Sequence, residues 1–126
     1  MILIDSDVLI WLTRGHAGAG TRLGQINLWR ISTITYLELA QGCRSKEELQ
    51  RVKRGLAVQQ TQIIPLTPAI SESAMILVDA HALGSGLQLA DALIAATALE
   101  HGLTLLTANV RHFTAIEALR IEQFQP

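Results

Sequence analysis

Cysteine occurs once in the 126 residues, at Cys43, so no intrachain disulfide can form and nothing asks for an oxidising compartment. Aromatic residues are nearly as scarce. Trp11, Trp29, Tyr36, Phe113 and Phe124 make up 4 % of the chain and form no base-stacking platform along the sequence. Excess charge of either sign is missing too: the formal net charge is -1. That excludes the global basic footprint of a duplex-DNA binder but leaves room for a local basic patch. No GxGxxG or Walker A run is present, which speaks against a nucleotide-cofactor enzyme. His16, His81 and His101 show no paired spacing, leaving a zinc site unsupported, and His112 reads as a rim histidine. No apolar run reaches a bilayer span, because LQLADALIAATALEHGLTLLTA is broken by Asp91, Glu100, His101 and Gly102. Asp5 and Asp7 interrupt the stretch where a signal peptide needs unbroken apolar residues. The expectation is a soluble, cytoplasmic domain without a membrane partner.

What is present is a well-buried composition, 49 % hydrophobic and 17 % charged, of a length that suits one globular domain over residues 1–126. MILID reads as a short buried strand, followed by a helix through VLIWLT that Ser6 or Asp7 can cap and that stops near Arg14-Gly15. HAGAGTRLGQ reads as a loop with a short helix and LWRIS as a second strand. TITYLELAQG is a helix capped by Ser32 or Thr33 and ended by Gly42. SKEELQRVKRGLAVQQ opens with a Ser cap and two acids suited to a helix dipole. TQIIPL is a third strand, a helix runs from Thr67-Pro68 to about Leu83 before Gly84-Ser85-Gly86 breaks it, LADALIAATALEHG forms another that Gly102 ends, LTLLT is a fourth strand, and LRIEQF a weak fifth. Strands alternating with helices imply an α/β fold with a parallel sheet covered on both faces. In such sheets ligands bind beyond the carboxyl ends of the strands. Asp5 to Asp7, Ser32 to Glu38 and Thr107 to Asn109 all follow strands, so they share one sheet edge.

Close carboxylates repel, and burying one is costly unless something positive answers it. Capping does not require Asp5, whereas Asp7 stands evenly between helix cap and cation ligand. Glu38, alone, would pass for part of a solvated helix strip with Thr35 and Gln41. Asp91 sits in a helix apolar on nearly every face, which predicts burial, and no Lys or Arg lies between Ala57 and Val110 to answer it; the alternative puts it near the helix start, answered by free backbone N–H groups. Asn109 alone is ordinary turn chemistry. Arg44, Lys46, Arg51, Lys53 and Arg54 crowd one stretch, read as a solvated helix face before a phosphate-contacting patch. Asp5, Glu38 and Asp91 together are hard oxygen donors without histidine or thiolate, a set that suits Mg²⁺ or Mn²⁺.

The order strand-Asp5-Ser6-Asp7-Val8, Ser32-xx-Thr35-xx-Glu38-Leu39, DALIAATA from Asp91, and LLTANVRHF from Leu105 resembles the PIN-domain ribonucleases, and within them the VapC-type toxins of toxin–antitoxin pairs. The resemblance covers essentially the whole chain. It implies a three-layer fold with a central parallel sheet of four to five strands, a Mg²⁺-dependent endoribonuclease acting on RNA, a homodimer, and an antitoxin protein that occludes the active-site groove. Its acidic quartet falls on Asp5, Glu38, Asp91 and, fourth, Asn109, as catalytic and metal-holding residues. Ser6 and Thr107 match small hydroxyl positions beside the metal. The fourth position often carries Asp, so Asn109 and the nearby His112 depart from the pattern and leave one or two metals open; Asp7 could restore part of the missing charge. Two other readings start from the same residues. One is a catalytically silent PIN-like scaffold that binds RNA or protein. The other is a haloacid dehalogenase-type phosphatase with Asp5 as nucleophile, which lacks its lysine because none follows Lys53.

Overall fold

Short apolar strands alternate with helices from one end of the chain to the other. The computed structural model describes all of residues 1–126. It runs β1 (Ile2–Ile4), α1 (Ser6–Thr13), α2 (Ala17–Gly24), β2 (Arg30–Ser32), α3 (Thr33–Gln41), α4 (Lys46–Val58), β3 (Gln62–Ile64), α5 (Pro68–Ser85), α6 (Leu89–His101), β4 (Thr104–Thr107), a single 3₁₀ turn (Val110–His112) and β5 (Ile121–Gln123). Every expected strand and helix is found, and every strand pairing is parallel. The helix ends follow local chemistry. Ser45 caps α4 by accepting the Glu48 N–H, and Thr67 caps α5 ahead of Pro68. Gly86 and Gly102 close α5 and α6 in the left-handed region, at φ 71° and 62°, where a Cβ would be strained.

Two findings refine the expected architecture. The sheet is laddered in two pieces, β1-β4-β5 and β2-β3, with β2 lying beside β1. Strands of three residues carry few ladder bonds, and side-chain packing across the seam joins the pieces, with Ile4 and Ile31 in one apolar cluster. The cap of α1 is Asp5, not Ser6 or Asp7: its carboxylate accepts the Ser6 N–H.

Alternation along β1 and β4 sorts the core into two layers. Leu3 and Leu105 face a cluster built with α5, α6, Phe113, Ile116 and Leu119. Ile4 and Leu106 face the opposite cluster, built with α1 to α4 and Phe124. The three layers of the sequence expectation are thus present. At the end of the chain, Arg22 on α2 grips Glu122 on β5 with two hydrogen bonds of 2.6 and 2.8 Å. No helix is long and apolar enough to cross a membrane.

The turn after β4 is held from below by Phe113, which is fully buried. Phe113→Ala should cost about 3–5 kcal/mol of unfolding free energy by chemical denaturation. Phe113→Leu should recover most of it; equal losses from both would show that the ring does not anchor this turn.

Candidate active site

Parallel strands deliver their following residues to one edge, and the structure gathers them there. Extending the ladder, the Asp5 N–H donates to Leu106 O at 2.9 Å, which sets the end of β1 against the end of β4. The Thr107 hydroxyl then donates to Asp5 Oδ2 at 2.8 Å and lies 3.3 Å from Asp7 Oδ2. A hydroxyl carries one proton, so two carboxylates compete for it. Asp7 Oδ2 also accepts the Ala108 N–H at 3.0 Å, and the Asn109 N–H donates to the Thr107 oxygen at 3.0 Å. Ser6 Oγ donates to Glu38 Oε1 at 3.0 Å, bringing in α3. Asp91 stands in the first turn of α6, whose Gln88 cap makes no side-chain cap bond, and its Oδ2 lies 3.3 Å from His112 Nδ1.

The seven expected site residues therefore meet at one edge, with different parts. Asp5, Asp7 and Thr107 form one side-chain group and Ser6 with Glu38 another, joined by the Ser6 backbone N–H that donates to Asp5 Oδ1. Asn109 enters the first group through its backbone N–H. Asp91 joins through its field on Glu38 and its contact with His112. The sequence left Asp7 between cap and ligand; in the structure it is a brace between α1 and the turn after β4. His112 was read as a rim residue, and nothing in one sequence signals its pairing with Asp91.

No arginine or lysine forms an ion pair with any of these acids. Burial accordingly raises all four. Asp5 is pushed up to about 7, first by burial and then by the charge of Asp7, against the hydrogen bonds from Thr107 and Ser6. Burial raises Asp7 against the N–H groups that hold it. Glu38 is raised by burial, opposed by the Ser6 hydroxyl and reinforced by the charges of Asp91 and Asp7. Asp91 is raised by burial while His112 draws it down. Asp7 Oδ1 is buried with no hydrogen-bond partner at all.

These features suit a hard divalent cation: oxygen donors only, no protein cation to neutralise Asp5, Asp7 and Glu38, and one carboxylate oxygen left unanswered. The side chains as they stand do not bring three such groups onto one point, so the cluster is a donor set and not a closed cage.

Three comparisons bear on this arrangement. The model of the PIN domain family matches residues 2–119. The chain is 37 % identical over 124 residues to ribonuclease VapC10 of Mycobacterium tuberculosis, covering 95 % of this chain and 91 % of the relative. It is 31 % identical to ribonuclease VapC1 of Rickettsia felis, covering 95 % and 93 %. Among solved structures, a toxin–antitoxin complex from Klebsiella pneumoniae superposes with a TM-score of 0.80 at 31 % identity, over 94 % of this chain and 95 % of that one.

The raised acids make stability depend on pH with a defined sign. Between the ordinary carboxylate value near 4 and about 7, folded Asp5 holds a proton that the unfolded chain has released, so stability falls as pH rises. In chelator, Tm should drop by at least about 5 °C from pH 4.5 to 7.5. Asp5→Asn should flatten that slope. A wild-type Tm that holds or rises across this window would contradict the strained cluster.

Proposed function

Because the chain belongs to the PIN-domain family and its VapC-like branch, we propose that it is the toxin of a toxin–antitoxin pair, an endoribonuclease that hydrolyses RNA phosphodiesters in the cytoplasm with Mg²⁺ or Mn²⁺. The observation that carries this reading is a cluster of one buried and three half-buried carboxylates at one sheet edge with no arginine or lysine to balance them. Asp5, Glu38 and Asp91 would hold the ion, with the Asn109 side-chain carbonyl as a neutral fourth donor. A bound divalent ion supplies water activation and Lewis-acid stabilisation of charge on the phosphate.

The chain's own residues set the geometry for that chemistry. The Thr107 hydroxyl fixes Asp5 and Asp7 relative to each other, and the Ser6 hydroxyl orients Glu38. His112 holds Asp91 by the oxygen it faces. Partners that orient ligating carboxylates in this way typically change metal affinity or activity by about 10- to 100-fold when removed. A silent scaffold offers no reason to bury mutually repelling acids, and a dehalogenase-type phosphatase would need a lysine beside Asp5, where none forms an ion pair.

Purified protein incubated with total RNA should cleave it with Mg²⁺ and not with excess chelator. Asp5→Asn should slow cleavage by more than about 100-fold, beyond the loss of an outer partner. Equal, low activity of wild type and variant would favour the scaffold.

The homodimer belongs to the same proposal. Met75, Ile76 and Leu83 are exposed along α5, with Leu89 exposed just beyond it, an apolar stripe that suits a second copy. Sedimentation at micromolar concentration should show a dimer that Leu83→Glu converts to a monomer of unchanged fold. A wild-type monomer would remove this part of the proposal.

A further inference from the structure

We infer that the basic stretch around α4 is a track for the phosphodiester backbone of single-stranded RNA, feeding the acid cluster along a cleft between α1, α3 and α4. This deepens the nuclease reading and rests on it for the identity of the polyanion.

The cleft measures about 680 Å³, and Glu38 lines it together with Arg14, Arg44 and Arg51. One cavity is therefore lined by a residue of the acid cluster and by three arginines. A second hollow, of about 420 Å³, is lined by Lys46, Gln50, Arg51 and Arg54, with Glu47 as its acid. Arg51 lines both, so the two hollows meet at that side chain.

Arg44, Lys46, Arg51 and Arg54 make no ion pair within the protein, while Arg14 lies 6.0 Å over the Trp11 ring. The one arginine or lysine ion pair of the chain joins Arg22 to Glu122, and His112 Nδ1 lies 3.3 Å from Asp91 Oδ2. Glu48, which also lines the larger cleft, accepts the Arg44 backbone N–H and so closes the first turn of α4 instead of pairing with a guanidinium. Glu47 and Glu48 sit at the helix N-terminus, where the dipole favours them. Surface arginines without internal partners are free to present paired N–H donors to phosphate oxygens.

Length agrees with this use. From Lys46 to Arg54 the helix rises about 12 Å, room for about two nucleotides of extended backbone beyond the one held at the acids. The need for such a track follows from charge: Asp5, Asp7, Glu38 and Asp91 repel a polyanion, and the chain as a whole carries -1. Attraction must come from a local concentration of cations next to the acids. The cleft provides it, and its rim of arginines fits a polyanion.

The test is binding of a fluorescein-labelled single-stranded RNA of about 20 nucleotides to the full chain in the inactive Asp5→Asn background, read by anisotropy across a salt series. Arg44→Gln with Arg51→Gln should weaken binding about tenfold at low salt. It should also reduce the slope of log affinity against log salt by about 1.4, two phosphate contacts at roughly 0.7 each. Arg120→Gln is the control. Arg120 donates to Gly102 O at the opposite edge of the sheet, before β4, and its loss should leave the slope unchanged. An unchanged slope in the double variant overturns the inference, as does an equal effect of Arg120→Gln. So does an RNA affinity insensitive to both while an acidic peptide loses affinity with Arg44 and Arg51. Cleavage by the wild-type chain is scored separately, so failure of the nuclease reading and failure of the track give different results.

Discussion

The Thr107 hydroxyl is the point on which the site turns. Its oxygen lies 2.8 Å from Asp5 Oδ2 and 3.3 Å from Asp7 Oδ2, and the same oxygen accepts the Asn109 N–H. It ties the end of β1, the first turn of α1 and the turn after β4 into one unit. Those segments are about a hundred residues apart in sequence, so the hydroxyl records a tertiary event: β1 and β4 must already be paired in register, Ile4 against Leu106. The register in turn depends on alternation. A slip of one residue would turn Leu3 and Leu105 into the layer of Ile4 and Leu106 and dissolve both cores at once.

Once the strands are paired, the acids have no choice but to meet. Asp5 leaves β1 at the same edge as Thr107 leaves β4, and α3 brings Glu38 to Ser6. The protein answers the resulting repulsion with neutral donors only: two hydroxyls, and the N–H groups of Ser6 and Ala108. Neutral donors fix direction without cancelling charge. That is why burial and mutual repulsion raise Asp5 despite two short hydrogen bonds to its carboxylate. A site intended only for stability would replace one of these acids with an amide or supply an arginine. Strain retained at a cleft, in a fold whose two cores are otherwise closely packed, is the pattern of a functional site.

Much of this was legible in the sequence because it depends on local signals. Apolar strands of three to five residues, Ser45 and Thr67 as caps, and Gly86 and Gly102 as stops each act within a turn of chain, and the structure follows them. The parallel sheet then followed from the alternation of strands and helices. The cap of α1 was less legible because Asp5, Ser6 and Asp7 are all good caps; what decides is that Asp7 is drawn away by the Ala108 N–H, a contact across 101 residues. The seam between β1 and β2 leaves no sequence mark, since strands two residues longer would look the same. His112 was hidden for a related reason. Its meeting with Asp91 depends on where the 3₁₀ turn after β4 lies relative to the start of α6, which the burial of neighbouring Phe113 in the distant α5–α6 core helps to set.

Charge placement is the last constraint that makes the parts intelligible together. The acids are clustered where the strands end, and the cations are clustered on α4, with Arg51 at the junction of two hollows. A nearly neutral total hides this separation. Had the cations paired with the acids, the site would be stable and electrostatically inert. Had they been scattered over the surface, a polyanion would meet only repulsion at the edge where the acids lie. Keeping the two sets adjacent yet unpaired requires a rigid spacer. The helix pair α3–α4 serves as one, because Ser32 and Ser45 fix the starts of both helices while Leu39 and Leu56 anchor them to the core. Glu38 and the arginines thus line the same cleft without forming an ion pair.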